Sequence, residues 1–458
     1  MKYLSLSAAA AVTLLLLCGG PPRGASAQSA AGRAALHGRG AAEGESAAGA
    51  AEVAALLQTG EYINVKSAPY NAAGNGTAND TAAIQAAVNA AVAAGGGAVF
   101  FPPGTYRTTG LTLQGSRVTL FGIKGVSRIA MSAAAGNTLQ IGTEKTTTAA
   151  DCKLEGLVFH PLVPRASGSE VYAPAFTNLT VRDVKLKSFY RGFYLGSPSG
   201  CVDVHMSGVW AEDFYQFAYM VRMIAGYFYA VEADGLRPDT VALHIDGYCE
   251  GLDFIGCLFI SNYMGAKTKS VMMETGTEVV SRPSQFNQFY GCYFDFGNYA
   301  VVAQNAYSYS FTDCWFKGQS NDGVLLFQTA HEFTFRGCQF FNSGASGLYI
   351  NGSSGHVITG NQFINNGVVI GGSPGIRIAA PGGGVFSQGI VITSNRIGLS
   401  GPPRVSDGGP GNQAYGVLID AGTLSFVVKD NDCRGNKVGA VNNLAGTSGV
   451  KIVSDNLF

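Results

Sequence analysis

"FTDCWFKGQSNDGVLLF" (311–327) is followed by "FTFRGCQFFNSGASGLYIN" (333–351), then by "HVITGNQFINN" (356–366) and "GIRI" (375–378). Each phrase holds a short alternating apolar run, a fixed Cys or Asn, a second short run, a polar turn and a Gly-led third run. The period is roughly 24 residues, and self-similarity at a fixed period marks a solenoid, in which each repeat buries its apolar faces only against its neighbours. The Cys/Asn position recurs at Cys257, Cys292, Cys314, Cys338, Asn361, Asn395 and Asn431, with less regular equivalents at Leu157, Asp183 and Gly208. Asparagines stacked in such a turn can satisfy one another and the backbone, so the ladder changes from thiol to amide along the axis.

The formal net charge is zero and 13% of residues are charged. Nucleic acid and anionic membrane both require clustered Lys and Arg, so composition argues against either as a partner. With 63 Gly and 11% aromatics, the chain forms a core and is rich in turns. Lys2, an apolar run over 8–17 and Ala25-Ser26-Ala27 before Gln28 read as a signal peptide over 1–27, hence a secreted or periplasmic protein. Cys18 raises a lipoprotein alternative, disfavoured by the bulk of Leu17 before it. The apolar run is too short for a membrane span, so no transmembrane segment is expected after signal removal. Residues 28–59 form an Ala/Gly-rich leader. The eight cysteines left after export are expected to be mostly free, buried thiols, with Cys201 and Cys249 the first pair to test for a disulfide.

Residues 60–115 differ from the repeats. "TAAIQAAVNAAVAA" (81–94) has Ile84, Val88 and Val92 at helical spacing, Asp80 or Thr81 to cap its start, and Gly95-Gly96-Gly97 to end it. "AVFFPPGTYRT" (98–108) then reads as strand, proline turn, strand. The stretch "NAAGNGTANDTAAIQAAVNAAVAAGGGAVFFPPGTY" (71–106) resembles the N-terminal segment of the pectate-lyase-like β-helix superfamily, which includes rhamnogalacturonase- and epimerase-like proteins and phage tailspikes. Asp80, Thr81, Gln85 and the 101–106 turn match the family pattern. Asn75, Asn79 and Ala78 depart from it at two usual Asp positions and one Thr. The resemblance implies an all-β fold: a right-handed single-stranded parallel β-helix of about twelve coils over 116–458, three short strands per coil, closed at one end by the helix, which covers an edge otherwise left unpaired. It carries over no catalytic residue. The Asp-Asp pair and Gly-His-Gly of galacturonan hydrolases, the Arg-x-Pro-x-x-Arg of calcium pectate lyases and the Asp-Pro-His-Glu of alginate epimerases are all missing.

Register therefore nominates the site. In "GLYIN", Leu348 and Ile350 should face inward and Tyr349 and Asn351 outward. The same frame gives an outward column through Tyr194, Tyr219, His244, Met272, Val301, Leu325, Tyr349, Arg377 and Leu418. A second column runs through Val221, Asp246, Glu274, Ala303 and Phe327. Asp246 and Glu274 then fall on successive coils about 5 Å apart, with His244 beside them and Arg222 ending the preceding strand. Two carboxylates this close should titrate apart, giving an acid and a base for glycosidic cleavage. The same pair could hold a cation such as Ca2+, which would assist β-elimination on a uronate, although no cofactor is required. Tyr194, Tyr219, Tyr349 and Arg377 are the substrate-binding candidates. Glu212 and Asp295, expected in loops overhanging the same face, form a fallback pair. Asp and Asn before Gly are also ordinary turn residues, so Asp246 and Glu274 have a purely structural alternative.

The expected function is cleavage of a polysaccharide or oligosaccharide by an exported enzyme of hydrolase or uronan-lyase type. The alternative is a non-catalytic glycan-binding or spike-like surface protein. A homotrimer built on outward Val301, Leu325, Phe327 and Leu418 is one assembly the sequence allows.

Overall fold

The computed structural model describes residues 51–458 except 53, 56, 59, 145–148, 198–199, 262–268, 275–282, 399–411 and 448. The leader cleavage site and much of the 262–286 and 398–415 insertions lie outside the described residues. The chain winds into an all-β parallel solenoid of about 14 turns, rather than about twelve, with one short helix. Strands pair with their counterparts one coil away, and the ladders between named strands are parallel. Each regular coil has three strands, as in Ser310–Thr312, Trp315–Lys317 and Val324–Leu326. First strands form one sheet, and second and third strands share another.

The second sheet is continuous because in two coils the second and third strands fuse. Lys185–Leu195 and Trp210–Val221 run 11 and 12 residues. Their only corners are Ser188 and Asp213, each in the left-handed region (φ 55° and 56°). Arg237 clamps the second corner through two hydrogen bonds to Asp213, 2.7 and 3.1 Å.

The core is built from columns of one residue type. Phe228, Phe254, Phe289, Phe311 and Phe335 stack face to face at centroid spacings of 4.4, 4.6, 4.8 and 5.1 Å. Between first and second strands the chain turns through one left-handed residue, such as Gly337, Gly360 or Ser394, and the next residue points inward. Asp183 and Gly208 are themselves left-handed, so the inward ladder position is one residue later, at Val184 and Val209. The Asn rungs interlock. Asn361 Nδ2 donates to Phe335 O (2.9 Å) and to Asn395 Oδ1 (2.9 Å), and Asn395 and Asn431 repeat the pattern down to Asn456. In the Cys rungs the thiols donate to carbonyls, for example Cys314 to Phe289 O at 3.3 Å. The eight described cysteines, Cys201 and Cys249 included, are buried, and none is in a disulfide.

The helix Thr81–Ala93 buries Ile84, Ala87, Val88 and Ala91 on the first coil. Asp80 occupies the N-cap but makes no side-chain cap bond. Its carboxylate instead accepts the backbone N–H groups of Ala73 (2.6 Å) and Gly74 (3.0 Å). Gln85 shows how a helix can close a strand edge: its amide accepts from Thr112 N (2.9 Å) and donates to Thr112 O (2.7 Å), replacing a missing strand.

Candidate active site

The register of the third strands differs from the expected one by a single residue. Leu243, His244 and Ile245 pair with Met272, Met273 and Glu274, which pair with Val301, Val302 and Ala303. The outward column is therefore Tyr172, Tyr194, Tyr219, His244, Met273, Val302, Leu325, Tyr349, Arg377. Met272 and Val301 are fully buried, which removes Val301 from any outer interface. Glu274 falls on the rung of Ile245, not of Asp246, so the two acids do not share a column; the Glu274 side chain lies outside the described residues. The error arose in "VMMET": two consecutive methionines fit either frame of a period-2 pattern, and a one-residue slip exchanges the faces.

Asp246 is on the rung of Val221 and is nearly inaccessible. Tyr219 donates its phenolic proton to Asp246 Oδ2 at 2.7 Å, and Gly247 N–H donates to Oδ1 at 2.9 Å. The Tyr219 ring meets the His244 imidazole edge-on at 4.8 Å. Burial holds His244 below its usual pKa; Asp246 pulls it back up, and Arg191 pushes it further down. Arg222 lies one residue past Val221, at a left-handed corner (φ 51°).

Two residues that the sequence did not nominate complete the cluster. The Arg191 guanidinium lies 5.4 Å from the Tyr194 ring centre and 5.1 Å from that of Tyr219. Its Nε donates to Gln216 Oε1 at 2.5 Å, and Gln216 Nε2 is 3.3 Å from His244 Nδ1. Among the described residues no carboxylate pairs with Arg191, and burial pushes its pKa down. Both residues sit just after the fused-strand corners at Ser188 and Asp213, on directly paired rungs. A long polar turn in either coil would have moved them off this face. The periodicity, read coil by coil from the regular repeats, gave no signal for that fusion.

The other candidates separate from this cluster. Tyr349 and Arg377 lie on the same column, but Arg377 is about 24 Å from His244, five rungs on. Its charge is neutralised by Asp420 at 2.9 Å. Glu212 and Asp295 are not in overhanging loops. Both lie within strands of the second-strand row, Glu212 in Trp210–Val221 and Asp295 in Tyr293–Phe296, three rungs apart through Asp234 and Ile260. Glu212 is bridged to Lys187 at 2.5 Å. Asp234, one rung from Glu212, has its pKa raised by burial and then by the Glu212 charge. Burial pushes Asp295 up to about 7, opposed by Lys317 and the Trp315 indole. Among the described residues no group of three or more His, Cys, Asp or Glu could hold a metal ion, and no helix is long and apolar enough to cross a membrane.

Residues 62–160 match the family model described as rhamnogalacturonase A/epimerase, pectate lyase-like, and residues 278–457 match the one described as right handed beta helix region. Both matched segments are of the pectate-lyase-like and right-handed β-helix kind, in agreement with the observed fold. Solved structures with the same fold include the A-module of the Azotobacter vinelandii mannuronan C-5 epimerase AlgE4, at 18% identity over 85% of this chain and 100% of that one (TM-score 0.53). The Dettilon tailspike protein is 14% identical over 83% of this chain and 68% of that one (TM-score 0.54). The surface adhesin PfbA of Streptococcus pneumoniae is 14% identical over 84% and 90% (TM-score 0.50). No curated protein matches the sequence. At these identities the likenesses establish the fold.

Proposed function

We propose that the protein acts on an acidic polysaccharide, removing the proton next to a uronate carboxylate on the outward third-strand face. The observation that carries this reading is Arg191. It is a guanidinium flanked by two tyrosine rings, with no carboxylate of its own among the described residues, beside a Tyr–Asp hydrogen bond and a histidine held neutral. An anionic sugar would supply the missing counter-charge in a bidentate contact. Tyr172, Tyr194 and Tyr219 on successive rungs offer ring faces for sugars.

With the carboxylate neutralised, Tyr219 oxygen takes the C5 proton while its own proton passes to Asp246 Oδ2. In β-elimination the freed electron pair forms the C4–C5 double bond, the C4–O4 bond breaks, and O4 takes a proton back from the Tyr219–Asp246 pair. Return of a proton to the opposite face of C5 would instead be epimerisation. The same-fold proteins named as a mannuronan epimerase, a tailspike and an adhesin support a polysaccharide-related role in the broad sense. Export is proposed on the signal peptide read at 1–27. A requirement for Ca2+ is not part of the proposal.

The test is incubation with a panel of uronate polysaccharides in deuterated water. Three readouts are followed: ultraviolet absorbance of an unsaturated product, reducing ends, and deuterium at C5. Absorbance or C5 deuterium supports the proposal. Reducing ends alone would move the chemistry to the in-register carboxylates Glu212 and Asp234 and make it hydrolysis. Binding without any product would make the protein a glycan-binding module.

A further inference from the structure

Hydrogen-bond polarity runs in one direction through this cluster. A guanidinium has donors only, so the Arg191 Nε–H contact at 2.5 Å requires the oxygen of the Gln216 amide. The amide nitrogen is then the atom 3.3 Å from His244 Nδ1. Being a donor, it requires Nδ1 to accept. A neutral imidazole that accepts at one nitrogen carries its proton on the other. Burial, the largest influence, and Arg191 oppose a positive charge on the ring and outweigh Asp246, which favours one; Tyr219 meets the ring edge-on and donates its hydroxyl to Asp246.

We propose that Gln216 is a positioning residue that locks His244 in the Nε2–H form and couples its orientation to Arg191. His244 then serves a bound uronate as a neutral hydrogen-bond donor, and proton acceptance falls to the Tyr219–Asp246 pair alone. The inference rests on the uronate reading only for the word uronate; the tautomer is a property of the free protein. A neutral imidazole donating from Nε2 would stabilise the negative charge that grows on the sugar carboxylate as the C5 proton leaves, without losing its own proton.

The test needs no substrate in its first part. Protein labelled with 15N at histidine, with His244 assigned by the signals lost in His244→Gln, should show His244 protonated at Nε2 and bare at Nδ1 near neutral pH. In Gln216→Glu the new carboxylate faces Nδ1 and should switch the ring to the Nδ1–H form, moving its protonation midpoint upward. Gln216→Leu removes the donor and should leave a mixture of tautomers. An unchanged thermal midpoint in Gln216→Glu separates this from a folding defect. In the second part, on a substrate that gives product, Gln216→Glu should lower kcat roughly 10²-fold, the cost of one preorganised donor, with a smaller change in KM. Wild-type His244 protonated at Nδ1 would overturn the proposal, as would a Gln216→Glu spectrum with the wild-type tautomer. Failure of every polysaccharide to react would count against the proposed function while leaving the tautomer result standing.

Discussion

The coils between Lys185 and Ser261 and those between Ser310 and Asn456 follow the same winding but use their side chains differently. In the earlier group, two second and third strands are fused and the ladder position holds Val184, Val209 and Val231 before the first thiol of the series at Cys257. The outward face there carries Arg191, Gln216, Tyr219 and His244. In the later group the polar turns are restored, the ladder is thiol and then amide, and the charged pair on the outward face, Arg377–Asp420, neutralises itself. The difference teaches that a solenoid separates its tasks along the axis. The later coils satisfy their turn carbonyls with stacked asparagines, while the coils that lose a turn bring strand residues together on one outward face.

The largest expected effect would break the chemical side of that contrast alone. Tyr219→Phe should lower turnover about 10³-fold, within the range for a lost acid–base group, while lowering the thermal midpoint by only a few degrees for the donor lost to Asp246; turnover in Tyr219→Phe equal to wild type would remove the Tyr219–Asp246 relay. Asn395→Ala should do the reverse. It leaves Asn361 N–H and Nδ2 without the acceptor at Asn395 Oδ1, and Ile358 O without its donor. Denaturant unfolding should show a loss of roughly 3 kcal/mol, with turnover per folded molecule retained.

Acid should act on the later coils next. His356 is fully buried, accepts Phe333 N–H at Nδ1 (3.1 Å) and pairs through Nε2 with Ser353 Oγ (2.9 Å). Burial, with a smaller contribution from the nearby His331, lowers its pKa from 6.5 to about 3. The unfolded chain therefore binds a proton that the folded chain refuses. The stabilisation is complete above the unfolded value of 6.5 and is lost as pH falls toward 3. Between pH 6.5 and 5 this amounts to about 2 kcal/mol, which His356→Gln should abolish from the pH dependence of unfolding. The smallest effect sharpens the comparison within one ladder: Cys314→Ala removes a single weak donor to Phe289 O and Thr312 O and should cost about 1 kcal/mol. A loss as large as that of Asn395→Ala would mean that thiol and amide rungs carry equal weight.

Much of the architecture was legible because it repeats. The Cys and Asn ladder follows from residue spacing, since stacking places equivalent residues one above another; the cap follows from the resemblance carried by residues 71–106, and the Phe columns emerged only in the structure. The same frame placed Tyr194, Tyr219 and His244 on the column where the structure has them, whereas Asp246, expected on an outward column, is buried. Glu274 was misplaced because "VMMET" does not specify register. Arg191 and Gln216 were missed because they lie in coils where the repeat is broken.

A fixed period and burial that repeats every coil were enough to read a solenoid and its Cys/Asn ladder from the sequence, while the parallel winding and the capping helix were read from the resemblance carried by residues 71–106. Tertiary structure alone decided that Arg191 meets Gln216 and Gln216 meets His244. Those contacts depend on two left-handed corners, at Ser188 and Asp213, that replace a loop with a bend. A single backbone angle of that kind redirects a whole strand and leaves no periodic trace.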